Sequence, residues 1–318
     1  MDRTKIKLQD LLKRDEMIIV PELHDCASAR AAEINGFECI MLSSGDFACA
    51  LTGIPDLQLL SIDEFCMITE RITEAVRMPL IIDADDGFGF GRALNTWYAC
   101  KRLAKAGASG ILITDAAAQS KAGLIPVEEA CVRFRAAKDG MLEAGTDAFL
   151  IARCDENLLE HFDAAVERMR RYVEAGADMI CPLGLNGVPW QRKAEIAARI
   201  SENVPGLLWY PDLGSHEGIP DVDLDEMAKL RYKMVGVHYS MHAAMIAMLD
   251  AGRHVMESKT NVYVHTHYDD TGYKCFSPMT FYLRDGYWAE KESRYVVNPE
   301  DALAKRITPF FVREDDAF

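Results

Sequence analysis

No stretch of this chain stays apolar long enough to cross a bilayer. The N-terminal Met1-Asp2-Arg3-Thr4-Lys5 runs into a polar segment without the apolar core of a secretory signal. Positive charge is scarce as well: 35 Lys plus Arg face 50 Asp plus Glu, a formal net charge of -15. That deficit argues against a nucleic-acid or anionic-membrane surface. Paired cysteines are missing too. The nine cysteines (26, 39, 49, 66, 100, 131, 154, 181 and 275) stand singly, with no C-x-x-C spacing. An odd count without a secretory signal argues against a disulfide framework, and most of these thiols lie in apolar segments where Cys acts as a small hydrophobe. A cytoplasmic, reducing compartment is the expectation. His265-Thr266-His267 with Cys275 imitates a zinc cluster but lacks the further ligands such a site requires.

What the chain does have is alternation. Short apolar runs at Met17–Val20, Cys39–Leu42, Leu80–Ile82, Gly110–Thr114, Phe149–Arg153, Met179–Pro182, Leu207–Tyr210 and Lys233–Val237 read as strands, and amphipathic segments between them read as helices. Ala106-Gly107-Ala108 and Ala175-Gly176-Ala177 end helices just before strands, as repeating β-α units require. Eight such units in a chain of 318 residues with 49% hydrophobic content predict a (β/α)8 TIM barrel over residues 1–251, with a doubly wound open sheet as the competing fold. Residues 252–318 have no clean period and are rich in aromatics, which predicts an irregular C-terminal extension.

The barrel gathers the polar residues that end its strands at one mouth: Ser43, Asp83, Asp85, Asp115, Arg153 and Asp212. The most informative segment is Pro79-Leu80-Ile81-Ile82-Asp83-Ala84-Asp85-Asp86-Gly87-Phe88-Gly89, a buried strand breaking off into carboxylates and glycines. Asp83 and Asp85 leave an extended backbone on the same face. Crowded carboxylates need a cation or a donor network, and the glycines would admit a ligand close to the backbone. A divalent metal site and an Asp-rich turn that caps the next helix are both consistent with this segment.

Together with Ser43-Ser44-Gly45, Gly53-Ile54-Pro55-Asp56, Ile151-Ala152-Arg153 and Glu174-Ala175-Gly176-Ala177-Asp178, this block resembles the isocitrate lyase and phosphoenolpyruvate mutase superfamily over roughly residues 15–250. The resemblance implies a barrel mouth holding Mg2+ (or Mn2+) and a small 2-oxo or 2-hydroxy carboxylate. By it, Asp85 ligates the metal, Asp56 and Asp83 hold its waters, Asp115 adds a carboxylate, and Ser43, Ser44, Gly45 and Arg153 bind the substrate's oxyanions. It further implies cleavage or formation of a C–C bond next to an enolate, with P–C rearrangement or oxo-diacid decarboxylation or hydrolysis as the alternatives. It also implies a homo-oligomer, a tetramer built as a dimer of dimers, whose last helices pass between subunits.

The departures restrict the reaction. A family Glu after the fourth strand is Thr114 here, another near the sixth strand is Leu183, and the lyase loop cysteine is replaced by Ala122. The remaining candidates for acid or lid cation are Lys121, Tyr210 and His238, with Asp212 beside them and His24 read as structural. Arg153 has a competing structural reading, an ion pair with Asp155 or Glu156. A barrel that binds a carboxylate without catalysis is the alternative from another class.

Overall fold

The computed structural model describes residues 5–117, 123–267 and 287–298. In chain order the strands are β1 (Ile18–Leu23), β2 (Ile40–Leu42), β3 (Leu80–Asp83), β4 (Gly110–Thr114), β5 (Phe149–Cys154), β6 (Met179–Pro182), β7 (Leu207–Tyr210), β8 (Ser215–His216), β9 (Ile219–Pro220) and β10 (Tyr232–Val237). Eight of them close a parallel barrel in the order β1-β10-β7-β6-β5-β4-β3-β2, while β8 and β9 form a small antiparallel hairpin. The helices are α1 (Leu8–Leu11), α2 (Cys26–Ile34), α3 (Ser44–Thr52), α4 (Ile62–Ala75), α5 (Ala93–Lys105), α6 (Val127–Glu143), α7 (Phe162–Glu174), α8 (Trp190–Asn203), α9 (Leu224–Lys229), α10 (Ser240–Ser258), α11 (Val262–Thr266) and α12 (Tyr287–Ser293).

Period-two alternation along the strands divides the apolar residues into two layers. Ile18, Val20, Met41, Ile81, Leu112, Ile151, Met179, Cys181, Trp209 and Met234 fill the lumen, and Leu8, Leu11 and Leu12 of the α1 segment pack onto them. Leu23, Leu42, Leu80, Ile82, Ile113, Leu150, Ile180 and Leu208 face outward and join the helices in the second core. The lumen is therefore packed below and polar only where the strands end, as barrel geometry demands.

Two elements differ from expectation. Strand β1 continues through Pro21 to Leu23, because β10 pairs with Pro21 on one side and β2 with Glu22 and Leu23 on the other. The composition of Ser43-Ser44-Gly45 after β2 suggests a loop, yet this segment opens helix α3. Ser43 caps it by accepting a hydrogen bond from Asp46 N, and Gly53 closes it at φ +70°. Residues 5–242 form one compact unit and the described residues from 243 onward belong to another. Among the described residues no helix is long and apolar enough to cross a membrane.

Candidate active site

Alternation decides which strand-end side chains enter the lumen. Two residues beyond Val20, Ile81, Leu112 and Ile151 on the inward face come Glu22, Asp83, Thr114 and Arg153, and beyond Met234 come Gly236 and His238. On these grounds Asp83 and Arg153 stand at the mouth. Asp115 and Tyr210 have the opposite parity.

Asp83 accepts hydrogen bonds from Ser44 Oγ at 3.3 Å and Asp85 N at 3.3 Å. Asp85 follows in the left-handed region, at φ +48°, and its carbonyl accepts from Thr114 N. Burial pushes the Asp83 carboxyl up, against the pull of Arg153. Burial, with the charges of Asp83 and Asp56, raises Asp85 to about 8. Asp56 is exposed and reaches over the first turn of α3, so that a β-carbon on Gly45 would lie 3.2 Å from its own. These three carboxylates share one region with too little positive charge to satisfy them.

The glycines of this segment also serve the packing of the fold. A β-carbon on Gly87 or Gly89 would come within 2.5 Å or 2.6 Å of Thr96 in α5. They let helix and loop touch, and Asp86 fixes the turn by accepting from Gly89 N and Phe90 N.

Arg153 is forked to Asp155 through Nε and Nη2, both at 2.8 Å, the ion pair foreseen as its structural reading. Burial opposes its charge, but Asp155, Asp83 and Asp85 together hold it more firmly protonated than a free guanidinium. Thr114 Oγ1 donates to Asp155 Oδ1 at 3.0 Å. A carboxylate thus does stand beside β4, supplied by Asp155 on the neighbouring strand's end.

Several expected positions are elsewhere. Asp115 is fully buried on the outward side and accepts from Tyr172 Oη at 2.6 Å, Asp155 N at 2.9 Å and Arg168 Nη1 at 3.4 Å. With its oxygens committed there, it does not join Asp83 and Asp85. Tyr210 likewise points into the outer core, where its hydroxyl meets Asp221 at 3.4 Å. Ser43 is the cap of α3, and Leu183 opens a 3-10 turn after β6. His24 Nδ1 lies 3.2 Å from Ser240 Oγ. Lys121 and Ala122 lie outside the described residues, between Ala117 and Gly123, which are joined by a backbone hydrogen bond. Those described thiols are free.

His238 does reach the mouth, in company the sequence reading overlooked. Its Nε2 lies 2.9 Å from Asp46 Oδ2 and its Nδ1 3.3 Å from Glu22 Oε2. The hydrogen bond to Asp46 raises His238 to about 9 against the effect of burial, with Glu22 and Asp212 adding their charge. Burial raises Glu22 to about 7, and the Asp83 carboxylate contributes. Extending the Ile18-Val20 alternation by one step would have found Glu22. Nothing local marks Asp46, because its role depends on where α3 meets β10.

Among the described residues no group of three or more His, Cys, Asp or Glu side chains is arranged to hold a metal ion by itself. Of the four aspartates expected at the metal, Asp115 faces the outer core and stands apart from Asp56, Asp83 and Asp85. What the donors do fit is Mg2+ bound by one carboxylate and retained water: they are hard oxygens, they crowd, and their raised affinity for protons marks uncompensated charge.

The family described as phosphoenolpyruvate phosphomutase matches residues 8–256. A 2-methylisocitrate lyase of Aeropyrum pernix is 33% identical over 317 residues, 96% of this chain and 95% of that protein. The chain belongs to the isocitrate lyase and phosphoenolpyruvate mutase superfamily. A 2,3-dimethylmalate lyase of Eubacterium barkeri is 31% identical over 64% of this chain and 69% of its own length. A solved phosphonopyruvate hydrolase in complex with oxalate and Mg++ superposes with a TM-score of 0.74 at 23% identity, covering 91% of this chain and 97% of that one, a likeness of fold. As a superfamily member whose named relatives cleave C–C bonds, the chain is an enzyme of the carbon–carbon lyase or phosphonomutase type.

Proposed function

We propose that this barrel is a Mg2+-dependent lyase that breaks or forms a C–C bond next to a 2-oxo or 2-hydroxy carboxylate by way of an enolate. The observation that supports it best is the inward set of Asp83 and Asp85, raised above the usual carboxylate range, facing the Arg153 guanidinium with Asp56 beside them. Asp85 would hold Mg2+, with Asp56 and Asp83 on its waters. Once bound, the ion supplies Lewis-acid stabilisation of negative charge on a substrate oxygen.

The chain's own residues do the rest. Arg153, held rigid by its fork to Asp155, presents its remaining N–H groups to a substrate carboxylate. Ser44 and Gly45 open α3, where backbone N–H groups of a first helical turn lack partners within the helix and suit an oxyanion. Phe65, Phe88 and Leu60 line a cavity together with Asp56 and Asp85 and give the site one apolar flank. The relatives act on 2-methylisocitrate and 2,3-dimethylmalate by name; a small hydroxy acid of this general kind is the substrate class proposed here.

Calorimetry with oxalate, an enolate mimic, tests the reading. Oxalate should bind in the presence of Mg2+ and lose its affinity when EDTA is added. Equal affinity in both conditions would sink the metal assignment.

A further inference from the structure

The loop acid of the lyases is absent from this sequence, yet an enolate released by C–C cleavage must be protonated. Among the described residues, the constellation at the mouth that could store a proton apart from the proposed metal-holding carboxylates is Glu22 at the end of β1, His238 just beyond β10, and Asp46 in the first turn of α3. We infer that Glu22 and His238 share the mobile proton of this active site, with Asp46 as the positioning residue that anchors the imidazole. The inference rests on the enolate reading above.

Geometry supplies three reasons. First, Glu22 and His238 both project inward by strand parity, so the pair faces the same lumen as Asp83 and Arg153. Cys181, buried beneath them, feels the charges of Arg153, Asp155, Glu22 and Asp83, which places all four around one space. Second, the ring is clamped. Each nitrogen has its own carboxylate, at 2.9 Å and 3.3 Å, and His242 packs edge-on at 5.7 Å between centroids. A fixed ring between two acceptors passes a proton to either without rotating. Third, the pair is accessible to substrate and solvent. His238 keeps 33% of its side-chain exposure and Glu22 13%.

The titratable groups facing the pair are Asp46 from α3, Asp83 from β3, Asp212 from the segment after β7, and His242 from α10. Three of these are carboxylates, so the proton is retained on the pair at neutral pH and is available for delivery. In cleavage, the electron pair of the breaking C–C bond becomes the enolate. The substrate's hydroxyl O–H breaks as its oxygen becomes the carbonyl, and that proton leaves to solvent; one proton leaves the Glu22–His238 pair to form the new C–H bond, and a proton taken up from solvent restores the pair. In reverse, a C–H bond beside the carbonyl breaks and its proton goes to the pair.

The reverse half can be measured without knowing the natural substrate. Pyruvate in D2O with Mg2+ and the full-length chain should exchange its methyl protons for deuterium, followed by proton NMR. Glu22→Gln and His238→Gln should each slow that exchange roughly 100-fold or more, while Mg2+-dependent oxalate binding persists and shows that each variant is folded. Asp46→Asn should slow exchange less than Glu22→Gln or His238→Gln do and move the inflection of its pH profile to lower pH, since it removes the largest contribution raising His238. Exchange undiminished in both Glu22→Gln and His238→Gln, or no exchange in the unaltered chain, overturns the proton assignment. Oxalate binding that ignores Mg2+ counts instead against the metal reading, so the two failures are told apart.

Discussion

Asp83 and Asp85 are two residues apart, yet they reach the site by different means. Asp83 continues the alternation of β3 and enters the lumen by parity, whereas Asp85 depends on a left-handed backbone at φ +48°, a conformation that non-glycine residues adopt at a cost of about 1–3 kcal/mol. Strain of this kind persists where surrounding structure enforces it, here through Asp86 and the Asp85 carbonyl. Replacing Asp85 with Ala removes the proposed ligand and leaves the turn's other bonds in place. Mg2+-dependent oxalate binding should disappear from calorimetry while the melting temperature holds or rises. Unchanged affinity would assign the metal elsewhere. Arg153 teaches the complementary lesson: its pairing with Asp155 was foreseen as a structural alternative to function, and the structure shows that fork on the face that holds Asp83.

At the scale of elements, close backbone approaches carry as much of the site's precision as side chains do. Gly87 and Gly89 let the loop after β3 touch Thr96 of α5, and α5 in turn packs on α6 where a β-carbon on Gly140 would lie 2.2 Å from the Trp97 carbonyl oxygen. That carbonyl belongs to a helix and has nowhere to move. Gly140→Ala should therefore lower stability by about 1–3 kcal/mol, read as a fall in melting temperature. Gly187→Ala, with open space around it and no left-handed φ, is the control that should not. Helix α3 shows how local signals mislead. Ser43-Ser44-Gly45 resembles a flexible loop in composition, but Ser43 is a helix cap, and the helix it starts brings Asp46 to His238. Strand β1 repeats the point, since Pro21 looks like a breaker in isolation while pairing on both sides carries the strand on to Glu22.

For the whole molecule, the acidic balance of the chain and the crowding at its mouth act together. Glu22, Asp85 and His238 all bind protons more tightly folded than unfolded, at about 7, about 8 and about 9. Their stabilisation is complete at pH values below those of the unfolded groups and is lost as pH rises through the folded values. The metal-free protein should therefore melt at a lower temperature at pH 9 than at pH 6. Added Mg2+ should recover part of that loss at pH 9, because it prefers the ionised carboxylates. A metal-free melting temperature that rises from pH 6 to pH 9 would contradict the crowding argument.

The sequence by itself determined the barrel, since eight apolar runs at β-α spacing and the helix-ending glycines are local facts that admit few topologies. It also marked Asp83, Asp85 and Arg153 as polar residues at strand ends, and Asp56 through the family resemblance. It could not decide which face of a strand Asp115 and Tyr210 occupy, because a strand end is read only to within a residue or two and a shift of one residue reverses every side chain. Nor could it find Asp46, Glu22 and His238 as a group. Their meeting requires the first and last barrel strands to pair and α3 to lean across them, contacts between residues more than 190 positions apart that exist only once the barrel has closed.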